Sequence, residues 1–223
     1  MDYETDTKNA YRNKEKAKDY QDQYIKGTKW ARFTMWRQKA LIKRALYRCN
    51  LTAKDRILDI PCGTGFIGHI LSDNPASVIA SDISIDMMSL ANNEYQGANF
   101  YGFVQSDITE TPFKRSAFSC VILLALMHRL PKEIRGKVLK EVTQLSNKYI
   151  IVSYSIESPA QKIKQWVLKK VQPSHVPAPS SIPLQEVINE LTSYGLIVRN
   201  MFHIVYFLSA KVVFLVERDE NNK

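Results

Sequence analysis

The stretch ILDIPCGTGFIG at residues 57–68 decides the fold of this chain of 223 residues. It begins as a short apolar run that reaches an acid, Asp59, and it continues through small residues into a second apolar run. Gly63, Gly65 and Gly68 have the spacing G-x-G-x-x-G, which joins a buried strand to a helix in nucleotide-binding α/β proteins. The stretch therefore predicts a strand, a tight turn and a helix whose N-terminus meets a nucleotide-like ligand.

The rest of the chain repeats this alternation of strands and helices. Further short apolar runs occur at residues 77–81, 100–104, 118–124 and 149–154. Helical stretches separate them, which indicates βαβ units and a parallel sheet with helices on both faces. Two β-rich runs, 197–208 and 211–217, follow at the spacing of a hairpin. The predicted fold is therefore α/β and Rossmann-like, with a mostly parallel seven-stranded sheet that ends in an antiparallel hairpin.

The positive charge of the chain is concentrated at one end. The net charge is +9, from 31 Lys and Arg against 22 Asp and Glu. Residues 1–50 hold 13 Lys and Arg and 6 Asp and Glu, so they carry +7 and the other 173 residues carry +2. Residues 8–48 are thus the expected contact for an acidic surface, whether RNA, an anionic membrane or a phosphate-bearing acceptor. Nucleic acid is the less favoured of these partners.

Cysteine usage and the N-terminus indicate a cytoplasmic protein. Cys49, Cys62 and Cys120 form no CxxC pair, so neither a disulfide framework nor a metal site is predicted. The first residues are polar and lack the apolar core of a signal peptide. The longest apolar run, 120–127, is far shorter than the ~20 residues of a membrane span.

Asp59 distinguishes between two nucleotide-like ligands. In an NAD(P) protein the glycine turn faces a pyrophosphate, and a carboxylate four residues before Gly63 would repel that anion. S-adenosylmethionine has no phosphate, and its ammonium and sulfonium groups suit a carboxylate there. Asp82, nineteen residues after Gly63, closes the second predicted strand, where an acid can hold ribose hydroxyls. The residues favour S-adenosylmethionine, and NAD(P) stays open as the alternative.

Four segments, in order, resemble the motifs of class I S-adenosylmethionine-dependent methyltransferases. Residues 59–65 are similar to motif I in the D-x-P-C-G-T-G variant of a bacterial subgroup, and Asp82 closes the second strand as in that family. Asp107 matches the acid that follows the third strand and usually meets the adenine amino group. Residues 117–124 and 126–131 resemble the fourth strand and the segment after it. The resemblance implies S-adenosylmethionine as cofactor and S-adenosylhomocysteine as product.

The resemblance covers residues 50–217 and implies a set of cofactor-binding residues. They come from the glycine-rich turn, the strand ends and the helix after the second strand: Asp59, Pro61, Cys62, Gly63, Thr64, Gly65, Asp82, Ile83, Met87, Asp107, Ile108 and Leu124. Two positions depart from the family pattern, because Pro61 replaces a glycine and Ser119 replaces the usual Asp of the fourth strand. Proline removes one amide, and the amides from Cys62 onward are expected to stay available to the ligand. Cys62 itself is interpreted as a small packed residue rather than a nucleophile.

Acceptor-side residues are expected after the fourth strand, at the end of the fifth strand and in the N-terminal helices. His128 is the candidate general base, since an imidazole can deprotonate a hydroxyl acceptor near neutral pH. Tyr154 is a candidate to face the acceptor. Trp30, Arg32 and Phe33 are candidates for a lid over the cofactor, with Arg32 within reach of its carboxylate.

The predicted organisation is a helical lid or substrate segment at 1–50, a catalytic domain at 51–217 with an insertion at 158–183, and a polar tail at 218–223. The leading function is an S-adenosylmethionine-dependent methyltransferase that methylates O or N of a small-molecule or glycan- or lipid-linked acceptor. An RNA methyltransferase or RNA-binding relative is the alternative, and an NAD(P) oxidoreductase is a further one.

Overall fold

The computed structural model describes residues 28–97, 99–157, 181–206 and 208–219. The first 27 residues of the predicted helical segment at 1–50 and almost all of the predicted insertion at 158–183 lie outside these ranges.

A single seven-stranded sheet organises the described residues. Its strands are β1 (Arg56–Asp59), β2 (Ser77–Asp82), β3 (Phe100–Gln105), β4 (Phe118–Leu123), β5 (Ser146–Ser155), β6 (Leu196–His203) and β7 (Lys211–Arg218). Their order is β3-β2-β1-β4-β5-β7-β6. The pairs among β1 to β5 are parallel, whereas β7 runs antiparallel to both β5 and β6. The predicted fold class is confirmed.

The central strands are apolar on both faces because each face is covered by helices. Alternate residues enter opposite layers of the core, as the two-residue period of a strand requires. Cys120 and Ile122 of β4 belong to one cluster, while Val121 and Leu123 belong to the other. All four side chains are fully buried.

The helices are α1 (Lys29–Cys49), α2 (Gly68–Ser72), α3 (Ile85–Ala91), α4 (Lys132–Leu145) and α5 (Leu184–Ser193), with a 3₁₀ turn at Met127–Arg129. Thr28 caps α1 by accepting a hydrogen bond from the Ala31 amide, and Ser84 caps α3 in the same way from Met87. The buried face of α1 has helical spacing and consists of Gln38, Leu41, Ile42, Ala45, Leu46 and Cys49. It packs against β5 and β7. In the part of the chain that the structure describes, no helix is long and apolar enough to cross a bilayer.

The terminal hairpin differs from the predicted one in its connection. The sequence suggested a two-residue turn at residues 209–210, but β6 ends at His203 and β7 begins at Lys211. Ile204, the first residue of the connection, is completely buried in the core. The Ile204 amide still donates to the Lys211 carbonyl oxygen, and Arg37 Nε donates to the Ile204 carbonyl oxygen.

Candidate functional site

A cavity lies where the carboxyl ends of the parallel strands meet. Asp59 and Asp82 are the last residues of β1 and β2, and Leu124 follows β4 directly. Parallel α/β sheets bind ligands at this edge, outside the carboxyl ends of the strands. Eleven of the twelve predicted cofactor residues line the cavity, namely Asp59, Pro61, Cys62, Gly63, Thr64, Asp82, Ile83, Met87, Asp107, Ile108 and Leu124. The exception is Gly65.

The glycine turn uses its own amides to hold its shape. The Cys62 amide donates to the Ser81 carbonyl oxygen at 2.9 Å, and the Gly63 amide donates to Asp82 Oδ2 at 2.8 Å. The Gly65 amide donates to the Cys62 carbonyl oxygen at 3.0 Å. The expectation that the amides from Cys62 onward stay available is therefore wrong for these three groups. The amides of Cys62 and Gly63 bind the turn to β2, and the Gly65 amide closes the turn on itself. The turn follows a cis Ile60–Pro61 peptide bond.

The three glycines, Gly63, Gly65 and Gly68, have different structural roles. Gly63 has a φ of +53°, and a Cβ there would meet no atom within 4 Å, so the turn is open on the cavity side. A Cβ on Gly65 would lie 2.7 Å from Glu94 Cβ, and one on Gly68 would lie 2.6 Å from the Glu94 carbonyl oxygen. Gly63 thus leaves room for a ligand, while Gly65 and Gly68 allow the turn to pack on the chain after α3. That packing explains why Gly65 does not line the cavity.

Asp82 connects the glycine turn to the start of α3. Its Oδ2 accepts from the Gly63 amide, and its Oδ1 accepts from the Ser84 amide at 2.9 Å. The carboxyl is buried, and this burial raises its pKa, while the hydrogen bonds from Ser84 and Gly63 act in the opposite direction. The Ile83 amide also hydrogen-bonds to this carboxyl. A carboxylate has about four acceptor sites, so it can still accept from a hydroxyl in the cavity.

Asp59 is held by a tyrosine that the sequence analysis did not identify. Tyr95, just beyond α3, donates its hydroxyl to Asp59 Oδ2 at 2.5 Å. Its ring stacks on Phe100 and meets Phe103 edge-on, which holds the hydroxyl in place. Burial raises the pKa of Asp59 to about 7, against the opposing effect of the Tyr95 hydrogen bond and with a smaller contribution from the charge of Asp82. No sequence motif marks Tyr95.

Two further predicted cofactor residues have defined surroundings. Asp107 Oδ1 accepts from the amide and the hydroxyl of Thr109, which orders the loop after β3. The Cys62 thiol is buried, and burial raises its pKa well above the usual value, with Asp82 and Asp59 adding to the effect. A thiol that stays protonated is a poor nucleophile, which agrees with Cys62 as a packed wall residue.

The predicted acceptor-side residues do not line the cavity. Tyr154 is 1% exposed and lies in the core beneath α4 and α5, where its hydroxyl donates to Glu190 Oε2 at 3.2 Å. The expectation that Tyr154 faces the acceptor is therefore corrected: strand alternation turns its neighbour Ser153 toward the Ala125 amide and Tyr154 to the opposite layer. Glu190 also pairs with the buried Arg135 at 3.0 Å.

His128 lies in the 3₁₀ turn after β4, between cavity residues Leu126 and Arg129. Burial, together with the smaller effects of the charges of Arg129 and Lys211, lowers the pKa of His128 to about 4. The imidazole is thus neutral at pH 7. Its role as general base stays a prediction.

The lid candidates lie on the exposed side of α1. Trp30 is 48% exposed and Phe33 is 44% exposed, with their ring centroids 5.9 Å apart, and Arg32 is exposed as well. None of the three lines the cavity. The contribution of α1 to the cavity wall is Gln38, which is buried.

The structure adds residues to the site that the sequence analysis had not named as ligand contacts. They are Gln38, Ile60, Phe66, Ile67, Ser106, Ala125, Leu126, Arg129 and Lys211. Most of them neighbour predicted residues in the sequence. Gln38 and Lys211 are far from every motif, and only the fold brings them to the cavity. Among the described residues, no group of three or more His, Cys, Asp or Glu side chains could hold a metal ion.

The fold and the site define a class of protein. The sheet order and the antiparallel last hairpin are those of the class I S-adenosylmethionine-dependent methyltransferase fold, which confirms the resemblance to this class seen in the sequence. Residues 57–148 match the family described as "Methyltransferase domain".

Solved structures of methyltransferases share this fold over most of the chain. Magnesium protoporphyrin IX methyltransferase from Synechocystis PCC 6803 with bound S-adenosylhomocysteine superposes with a TM-score of 0.79. The match is 17% identical and covers 97% of this chain and 100% of that one. A methyltransferase from Methanosarcina mazei gives a TM-score of 0.60 at 18% identity, over 76% of this chain and 94% of that one.

Curated relatives match over a shorter region. Demethylmenaquinone methyltransferase of Clavibacter sepedonicus is 34% identical over 71 residues, which are 32% of this chain and 29% of that protein. The putative methyltransferase YqeM of Bacillus subtilis is 32% identical over 74 residues, 33% of this chain and 30% of that protein. The chain therefore spans less than a third of the curated relatives that it matches.

Proposed function

We propose that the chain is an S-adenosylmethionine-dependent methyltransferase that methylates an oxygen or nitrogen atom of a small-molecule acceptor. The observation that carries the proposal is the pair of buried carboxyls, Asp59 and Asp82, at the ends of adjacent strands on either side of the open Gly63 turn. Residues 57–148, which match the methyltransferase domain, include both acids and the turn.

The cavity suits this cofactor better than a dinucleotide. A pyrophosphate requires free amides in the glycine turn, but the amides of Cys62, Gly63 and Gly65 already donate within the protein. A cationic sulfonium and ammonium instead gain from a buried carboxyl such as Asp59. Asp82 would accept from the ribose hydroxyls, and Asp107 would meet the adenine amino group.

S-adenosylmethionine supplies a methyl group on a positively charged sulfur, which is already a good leaving group. The protein therefore contributes mainly position and exclusion of water. Gly63 lets the turn approach the bound ligand closely, and Met87, Ile108 and Leu124 line the cavity with apolar side chains. His128, neutral at pH 7, is the group proposed to take the proton that the acceptor must lose.

Support for a small-molecule acceptor comes from the named relatives, one a demethylmenaquinone methyltransferase and one a magnesium protoporphyrin IX methyltransferase. The proposed acceptors include small molecules that are linked to a glycan or a lipid. The helix α1, which reaches the cavity through Gln38, is proposed to present Trp30, Arg32 and Phe33 as a lid.

Calorimetric titration tests the proposal directly. The chain should bind S-adenosylhomocysteine and should not bind NADH. Asp82→Ala should abolish binding, because it removes the acceptor for the ribose and for the Gly63 and Ser84 amides. Asp86→Asn is the matched control, since Asp86 lies in the first turn of α3 and does not line the cavity. Tight binding of NADH together with no detectable binding of S-adenosylhomocysteine would refute the proposed methyltransferase function.

A further inference from the structure

Three aromatic side chains form a ridge on the exposed face of α1. Trp30, Phe33 and Trp36 follow one another at three-residue intervals, and their ring centroids are 5.9 Å and 6.1 Å apart. All three are exposed, Trp36 most of all at 62%. Gln38, which lines the cavity, comes two residues after Trp36, so these two side chains point about 160° apart around the helix. The ridge therefore points away from the cavity and presents a large apolar surface to solvent.

The positive charge of the N-terminal region is concentrated on the same helix. Residues 1–28 contain six Lys or Arg and six Asp or Glu, so they carry no net charge. The whole +7 of the first 50 residues comes from α1, which has seven cations and no acid. Five of the seven cations are exposed, namely Lys29, Arg32, Lys43, Arg44 and Arg48. The region expected to contact an acidic surface thus narrows from residues 8–48 to α1.

The cations of α1 differ in their surroundings. In the C-terminal half of the helix, Lys43 pairs with Asp73 at 3.0 Å, and the guanidinium groups of Arg44 and Arg48 lie over the ring of Phe202. In the N-terminal half, two exposed cations directly precede members of the ridge, Lys29 before Trp30 and Arg32 before Phe33. The first two turns of α1 therefore combine apolar rings with positive charge on one exposed surface.

A bilayer with anionic headgroups fits this combination best. Tryptophan is enriched at the membrane–water interface, and each Lys or Arg near an anionic bilayer strengthens binding about 5-fold. A second copy of the chain fits less well, because two such helices would bring cations against cations. RNA also fits less well, since a base stacks on an open ring face and the rings of the ridge contact one another.

We propose that the exposed face of α1 docks on an anionic lipid bilayer. Trp30, Phe33 and Trp36 insert at the level of the headgroups, and Lys29 and Arg32 contact the lipid phosphates. The inference goes beyond the proposed methyltransferase function and does not depend on it, because the ridge points away from the cavity. A lid would require α1 to turn, whereas docking uses the arrangement that the structure shows. Docking would place the cavity wall about one helix diameter, ~10 Å, from the bilayer.

Sedimentation with lipid vesicles tests the proposal on the full chain. Vesicles of phosphatidylcholine alone are compared with vesicles that contain phosphatidylcholine and phosphatidylglycerol in equal amounts. We expect at least ~10-fold tighter binding to the anionic vesicles, and this difference should shrink as sodium chloride screens the charges. Trp166→Phe leaves Trp30 and Trp36 as the only tryptophans, and lipids brominated near the headgroup should quench their fluorescence.

Two double variants separate the contributions of the rings and of the charges. Phe33→Ser combined with Trp36→Ser removes most of the ridge, and Lys29→Gln combined with Arg32→Gln removes the adjacent cations. Each pair of changes should weaken binding to the anionic vesicles at least ~5-fold. Thermal unfolding verifies that both variants are folded, as expected for changes at exposed positions.

Matched controls change similar residues elsewhere on the surface. Lys114→Gln combined with Arg115→Gln neutralises two exposed cations in the loop before β4, and Tyr101→Ser removes an exposed ring of β3. Both controls should bind the vesicles as tightly as the unmodified chain. An equal loss in the controls and in the α1 variants would overturn the proposal, because it would assign the binding to overall charge or hydrophobicity.

Three further outcomes would also overturn it. The first is no binding of the unmodified chain to the anionic vesicles. The second is vesicle binding without quenching of Trp30 and Trp36, which would mean that another part of the chain docks. The third comes from titration with single-stranded RNA and from analytical ultracentrifugation. If the ridge variant loses RNA binding or dissociates a dimer, while the unmodified chain ignores vesicles, the ridge serves RNA or a second copy instead.

Discussion

Tyr95 donates its hydroxyl to the carboxyl of Asp59, and the two residues are 36 positions apart in the chain. The bond joins the end of β1 to the segment after α3, and both side chains are buried. Burial raises the pKa of Asp59 to about 7, whereas the tyrosine hydroxyl stabilises the ionised form. The ionisation of Asp59 is therefore favoured by the hydrogen bond from Tyr95, and it responds to the charge of the ligand that enters the cavity.

Replacing Tyr95 with Phe should weaken cofactor binding while preserving the aromatic packing. The variant removes the donor, so Asp59 becomes harder to ionise and attracts a cationic ligand less. We expect a several-fold rise in the dissociation constant for S-adenosylmethionine, measured by calorimetry at pH 7. Tyr101→Phe is the control, because Tyr101 is largely exposed. Equal affinity in the Tyr95 variant and the unmodified protein would contradict the assignment.

The contribution of Asp59 to stability should be lost as the pH rises between about 4 and 7. The pKa of Asp59 is about 7 in the folded chain and 3.8 in its ordinary state, so the folded protein retains a proton that the unfolded chain releases in this window. His128, whose pKa is lowered to about 4, contributes in the opposite direction and is present in both proteins compared. Asp59→Asn keeps the shape and removes the Asp59 titration. Urea unfolding should show that the stability of the unmodified protein, relative to that of the variant, decreases from pH 5 to pH 7.5. A pH dependence that is the same in both would exclude Asp59 as its source.

Alanine at the two positive-φ glycines of the turn should have different effects. In Gly63→Ala the new methyl points into open space, so the protein should fold at a cost of about 1–2 kcal/mol for the left-handed backbone, and it should lose cofactor affinity. In Gly65→Ala the methyl collides with Glu94 Cβ, so the thermal midpoint should drop further. Thermal unfolding and calorimetry on both variants separate the two effects. Greater destabilisation by Gly63→Ala would contradict this assignment.

His128→Ala should preserve S-adenosylhomocysteine binding and lower turnover by about 10²-fold or more if the imidazole is the general base. Since its pKa is about 4, the rate of the unmodified enzyme should decrease only as the pH falls toward that value, when the imidazole becomes protonated. Methyl transfer from labelled cofactor across pH 4–8 provides the profile. Unchanged turnover in the variant would reject the base role.

The sequence predicted those parts of the fold and site that depend on neighbouring residues. Strands such as β4 appear as continuous apolar runs because both of their faces are covered. The glycine turn is recognisable in the sequence together with Asp59 and Asp82. All of them lie within one βαβ unit, so their spacing along the chain is characteristic of a site for a nucleotide-like ligand. The cap on α3 is equally local, since Ser84 and Met87 are three residues apart.

Features that depend on distant residues were not predictable. Lys211 reaches the cavity only because β7 inserts antiparallel next to β5, and Tyr95 reaches Asp59 only through the packing after α3. Tyr154 was assigned to the wrong face because strand alternation fixes relative orientation but not which face of β5 meets the cavity. The length of the hairpin connection was not predictable because the β-rich run at 197–208 continues past His203, where β6 ends.

The packing of α1 defines the smallest fragment that can be expected to fold. Residues 57–148 carry the recognisable domain, but a polypeptide cut at those limits would lose Gln38 from the cavity wall and β7 from the sheet. It would also expose the apolar surface that Ile42, Ala45 and Leu46 cover. Because it ends three residues into β5, it would leave the apolar strand β4 as an unpaired edge prone to aggregation. A recombinant fragment should therefore retain at least residues 28–218, so that crystallisation and ligand screens sample a closed core and a complete site.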